Sequence, residues 1–143
     1  MSDHGQKVVI VPCSGIGKTF GTVSREAAYE VSEDLRPADT ELVTLSLLVL
    51  GDEVARKAVV ENPTVTIDGC KLACATKMVQ ESGGEVAQGF TVLDAYRRYR
   101  EFKPKGISEL NEEGQKLARA LAEEIAAAVS GFSGNGNGEG EDA

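Results

Sequence analysis

The sequence predicts an α/β fold: a single three-layer unit with a mostly parallel sheet flanked by helices. Three observations carry this. Residues 7–12, KVVIVP, form an almost continuous apolar run, as expected of a strand covered on both faces. Residues 64–67, TVTI, form a second β-branched run, and each run leads at once into a glycine-bearing turn and a helical pattern. Strands and helices then keep alternating along the chain, which implies parallel strands joined by covering helices. In such sheets ligands bind beyond the carboxyl ends of the strands.

Taken in order, the first strand ends at Cys13, and CSGIGKTFG is a glycine-punctuated turn. Thr22 or Ser24 is a candidate cap for a helix running to about residue 33, with Val23, Ala27, Ala28 and Val31 apolar. Leu35-Arg36-Pro37 stops it, because proline disfavours helix in the residue before it. Residues 41–50 are ambiguous; a short strand near 42–45 followed by helix to about 61 is the reading adopted. Asn62-Pro63 closes that unit. After the strand at 64–67, Asp68-Gly69 breaks the chain and residues 70–82 read as a helix, stopped by Gly83-Gly84. Residues 85–92 supply a further strand, 94–102 a helix and 103–106 a turn. Residues 108–130 give the clearest helix: Leu117, Leu121, Ile125 and Val129 recur every four residues, and Glu109, Glu112 and Glu113 sit near its positive end.

A chain of 143 residues fits one domain, placed at residues 1–133. Residues 134–143, GNGNGEGEDA, are a polar, acidic, glycine- and asparagine-rich tail expected to be disordered. The longest apolar run, residues 45–50, is far too short to span a bilayer, and MSDHGQK at the start holds no apolar signal region. The expected location is therefore the cytoplasm, with no membrane association. The net charge of −8 argues against nucleic acid as a partner. A protein partner and the oligomeric state are left open.

The chain has three cysteines, Cys13, Cys70 and Cys74, and all fall at strand ends. An odd number in an intracellular setting speaks for a metal site or reactive thiols over a disulfide framework. With parallel strands, Cys13 and Cys70 meet at one sheet edge. On a helix from residue 70, Cys74 would lie on the same face as Cys70, one turn on, and Cys70 would occupy the thiolate-favouring first turn. Three thiolates suit zinc, with the fourth position left to water, a substrate or another side chain. Asp68 is close in sequence, but it can instead hold the turn or cap the helix. Thiolates also suit an iron–sulfur cluster, and a small enzyme using the same crevice for thiol redox or phosphate chemistry is the alternative of a different class. The plainer reading makes the cysteines small buried hydrophobes at strand–helix junctions, and the residues alone leave these open.

Gly17-Lys18-Thr19 matches the end of a phosphate-binding loop, and Val65-Thr66-Ile67-Asp68 imitates the strand and acid that support magnesium beside one. The pattern needs glycine where this chain has Pro12, which lacks both flexibility and an N–H. A glycine turn with a solvent-facing lysine is preferred. Arg25, Glu26 and Tyr29 are near the Cys13 turn but read as a solvated face. Arg97, Arg98 and Arg100 read as a solvated basic cluster, and Tyr96, Tyr99 and Phe102 as core contacts.

Asp68-Gly69-Cys70 continued as Leu72-Ala73-Cys74-Ala75, the block Val11-Pro12-Cys13-Ser14-Gly15-Ile16-Gly17-Lys18 with Gly21, Ser24-Arg25-Glu26-Ala27, and the Leu35-Arg36-Pro37 turn together resemble the DGC-domain family. The resemblance covers about residues 7–84. It implies that Cys13, Cys70 and Cys74 correspond to family cysteines that bind zinc, and it implies no reaction. The family pattern has a further cysteine in a Leu-Val-Cys-Leu context. This chain has Leu42-Val43-Thr44-Leu45 there, and threonine is a poor zinc ligand.

Overall fold

The computed structural model describes residues 7–13, 18–69, 73–106 and 109–132. The elements in order are β1 (Val8–Pro12), α1 (Thr19–Tyr29) continuing into a π-helical turn (Glu30–Leu35), β2 (Thr40–Leu42), α2 (Leu45–Leu50), α3 (Glu53–Glu61), β3 (Thr64–Asp68), α4 (Cys74–Glu81), β4 (Val86–Thr91), α5 (Val92–Arg98) and α6 (Glu112–Phe132). The four strands form one sheet in the order β2-β1-β3-β4, and every pairing is parallel. The α/β class and the flanking helices are as the sequence predicts. The tail from residue 134 lies outside the described residues, as does Cys70.

Strand periodicity divides the core in two. Val8 and Ile10 of β1, with Val65 and Ile67 of β3, pack against α1, α5 and α6. Their neighbours Val9 and Val11 face the other way, onto α2, α3 and α4. All five residues of β1 are buried, which is why KVVIVP reads as a run and not as an alternation. On α6 the stripe Leu117, Leu121, Ile125 and Val129 is wholly buried. Tyr96, Tyr99 and Phe102 pack against the same core, with the Phe20 and Tyr96 rings 5.9 Å apart. Among the described residues, no helix is long and apolar enough to cross a membrane.

Several boundaries differ from the sequence reading. Helix α1 begins at Thr19, ahead of the Thr22 or Ser24 caps. Both residues lie inside the helix and their hydroxyls turn back onto carbonyls, Thr22 onto Lys18 at 3.3 Å and Ser24 onto Gly21 at 2.7 Å. Strand β2 comes earlier, at Thr40–Leu42, and the helical stretch after it is two helices. Gly51 separates them at φ 79°, and Asp52 then caps α3 by accepting from the Ala55 amide at 2.9 Å. Helix α5 occupies Val92–Arg98, its start set by the Thr91 hydroxyl accepting from the Asp94 amide at 3.1 Å. Helix α6 starts at Glu112, because Asn111 supplies the cap, accepting from the Gly114 amide at 2.8 Å.

Candidate functional site

Strand order places the site. β1 leaves for β2 on one side, while its other neighbour is β3, reached through α2 and α3 on the opposite face. This reversal makes the carboxyl end of the β1–β3 pair the topological switch point, where open α/β sheets bind ligands. Cys13 follows β1 there, and Gly69 follows Asp68, the last residue of β3.

Main-chain bonds hold Cys13 at that edge. The Val8 amide donates to Asp39 beside β2, whereas the amides of Val9 and Cys13 donate towards β3, to Pro63 at 2.9 Å and Ile67 at 2.7 Å. By this alternation the donor missing at Pro12 falls on the β2 side. β2 has already ended at Leu42, so the proline forfeits no ladder bond and instead marks where β1 and β2 part. Cys13 itself is buried. The Ser24 hydroxyl, also buried, lies 3.1 Å from the Cys13 carbonyl and shares its one proton between that oxygen and the Gly21 carbonyl. Thus α1 is fastened to the chain at Cys13.

Asp68 ends β3 at 2% exposure. One carboxylate oxygen accepts from the Ala75 amide at 2.7 Å, and the other from the Thr76 amide at 3.4 Å and the Thr76 hydroxyl at 2.8 Å. Ala75 and Thr76 are in the first turn of α4, so Asp68 does from a distance what a capping side chain does locally. The local N-cap position is Ala73, which has nothing to offer and sits in the left-handed region at φ 57°. Thr66, two residues back along β3, brings its hydroxyl to 2.8 Å from that of Thr76. Thr76 spends its proton on Asp68, so Thr66 is the donor in that pair.

Helix α4 starts at Cys74, not at residue 70. Helical continuity back from Cys74 is broken by the left-handed Ala73. It is Cys74, with its exposed thiol, that stands in the first turn. Cys70 lies outside the described residues. Among the described residues, no three His, Cys, Asp or Glu side chains form a group able to hold a metal. Cys13 and Cys74 are both free thiols.

Gly69 explains itself by contact. A Cβ there would lie 3.2 Å from the Phe20 carbonyl carbon and the Gly21 nitrogen, so the turn after β3 presses on the backbone of α1. The β1–β2 register, carried on from Ile10 opposite Leu42, sets Thr44 level with Pro12 at the same sheet edge. Thr44 is exposed at the N-terminal end of α2, its hydroxyl 3.4 Å from that of Ser46. Lys18 is exposed just before α1, and residues 14–17 of the glycine turn lie outside the described residues. Arg25 is half-buried and donates to the Thr22 hydroxyl at 3.1 Å. Of the other cations weighed from sequence, Arg97 pairs with Asp94 at 3.5 Å and Arg98 with Glu124 at 2.5 Å.

The sequence reading does not single out the hydroxyls of Thr66 and Thr76, and it offers Ser24 as a helix cap and not as a tie to Cys13. The alternation Thr64, Thr66, Asp68 on one face of β3 is the signal that could have found the first. No curated protein and no solved structure matches the chain. A family model described as DGC domain matches residues 9–121, a span that includes both strand–turn–helix blocks of the switch point as well as α5 and part of α6. The chain therefore belongs to the DGC-domain family.

Proposed function

We propose that this protein binds zinc at the carboxyl end of the β1–β3 pair, with Cys13, Cys70 and Cys74 as ligands. One observation carries the proposal: the Cys13 amide is bonded to the Ile67 carbonyl at 2.7 Å, which sets Cys13 beside the end of β3, three residues before Cys70 in sequence. The donor set fits the ion, since soft thiolates suit zinc and three of them leave one tetrahedral position. Asp68 is not the fourth ligand in this reading, because three donors already occupy its oxygens. Thr44 offers a hydroxyl where the family pattern offers a thiol. The fourth position is thus open to water or a small ligand, the arrangement of a zinc site that exchanges ligands and not of a closed structural one.

Elemental analysis of the full chain, purified under reducing conditions without chelator, tests this. About one zinc per chain is expected, lost in Cys13→Ala and Cys74→Ala. Iron with inorganic sulfide would replace zinc by a cluster. Protein that stays metal-free after zinc is supplied would overturn the reading in favour of thiol chemistry.

A further inference from the structure

Helix α2 is LSLLVL, apolar on nearly every side. A helix of that composition belongs in an enclosed setting, yet only Leu45 and Leu48 are buried. Five of the six large hydrophobics that the described residues expose lie on α2 and α3: Leu47, Val49, Leu50, Val54 and Val60, with Leu50 81% and Val54 76% exposed. The two helices are joined by Gly51 and Asp52 alone and pack on the same face of the sheet, so their outward sides are neighbours. A concentration of exposed apolar side chains of this kind marks an interaction surface.

By composition, the residues at either end of the sequence offer little apolar side chain to set against this surface. Residues 1–6, MSDHGQ, hold one apolar side chain, and residues 133–143 are serine, glycine, asparagine and acids with a single alanine. The charges beside the patch indicate what covers it. On α3, Ala55 and Val59 face inward, which turns Glu53, Val54 and Lys57 outward. Glu53 and Lys57 stand one turn apart with opposite sign on one edge of the helix, and Val54 lies beside them. Two such helices laid antiparallel about a two-fold axis set Glu53 of each against Lys57 of the other, while Leu50 and Val54 meet between them. A surface built for a strongly charged partner would carry one sign.

We propose that the outward face of α2 and α3 is a two-fold interface with a second copy of this chain. The proposal is independent of the metal reading. Sedimentation of the full chain tests it. Wild type should run near twice 15.1 kDa at about 100 μM. Leu50→Glu places a charge at an exposed position, so it should keep the wild-type circular dichroism and melting temperature while weakening the dimer at least about tenfold. Glu53→Lys and Lys57→Glu should each weaken it, and the double reversal should restore it, because the cross-axis pairs are re-formed with exchanged sign. A monomeric wild type at that concentration overturns the proposal, whatever other protein the face then binds. So does a Leu50→Glu dimer of undiminished affinity, or a double reversal no tighter than the single ones.

Discussion

Replacing Asp68 with alanine removes the acceptor for the Ala75 amide, the Thr76 amide and the Thr76 hydroxyl, at a position 2% exposed. Losing a helix cap costs about 1 kcal/mol, and leaving buried donors unsatisfied costs about 1–3 kcal/mol more. The expected loss for Asp68→Ala is therefore about 3 kcal/mol, or about 10 °C in melting temperature for a chain of this size. Asp68→Asn keeps one oxygen for the Ala75 amide and lets the Thr76 hydroxyl reverse, so it should cost nearer 1 kcal/mol. Thr66→Val removes only the donor to Thr76, again about 1 kcal/mol. Urea unfolding followed by circular dichroism is the assay, run in excess chelator so that metal linkage adds nothing. Measured losses in the order Asp68→Ala, then Asp68→Asn and Thr66→Val, support the network. A loss below about 0.5 kcal/mol for Asp68→Ala would refute it, since no buried cap can be dispensed with so cheaply.

Thr44→Cys should tighten zinc binding and raise melting temperature in zinc, by adding a thiol at the open position. A competition titration with Cys74→Ala as control checks this, and equal affinity in wild type and Thr44→Cys would remove Thr44 from the site. Gly69→Ala should destabilise by about 1–3 kcal/mol, because the added methyl forces the α1 backbone to move; an unchanged denaturation midpoint would show that the turn yields freely. The hydrogen bond from Tyr99 to Glu124, reinforced by that carboxylate's charge, raises the Tyr99 phenol above its ordinary value. Its stabilisation is held below the unfolded pKa and lost as pH rises through the folded one, so Glu124→Gln should bring the phenol down in an ultraviolet titration and narrow the stability gap to wild type at alkaline pH.

Much of the fold was legible in the residues. β1 and the first four residues of β3 are apolar or β-branched because both faces of a central strand are covered, and α6 declares itself by a stripe of period four. The break between α2 and α3 is also written locally, in Gly51 and the capping Asp52, although the apolar pattern reads as one longer helical stretch. The place of Cys13 directly after β1, and the Asp-Gly-Cys and Pro-Cys-Ser-Gly blocks that carry the family resemblance, needed no coordinates.

What only the tertiary structure decided depends on groups far apart in the chain. The order β2-β1-β3-β4, and with it the neighbourhood of Cys13 and the Asp68 turn, is a matter of long-range pairing that no local pattern encodes. Helix α4 starts at Cys74 because its cap is Asp68, on another element, and because Ala73 is left-handed; propensity carried the helix back to residue 70, since it sees only neighbours. The same distance hid the Thr66–Thr76 pair and the Ser24 tie to Cys13. Hydroxyls disclose their partners only when the chain brings strand and helix together, whereas burial on both faces leaves its record in every residue of a strand.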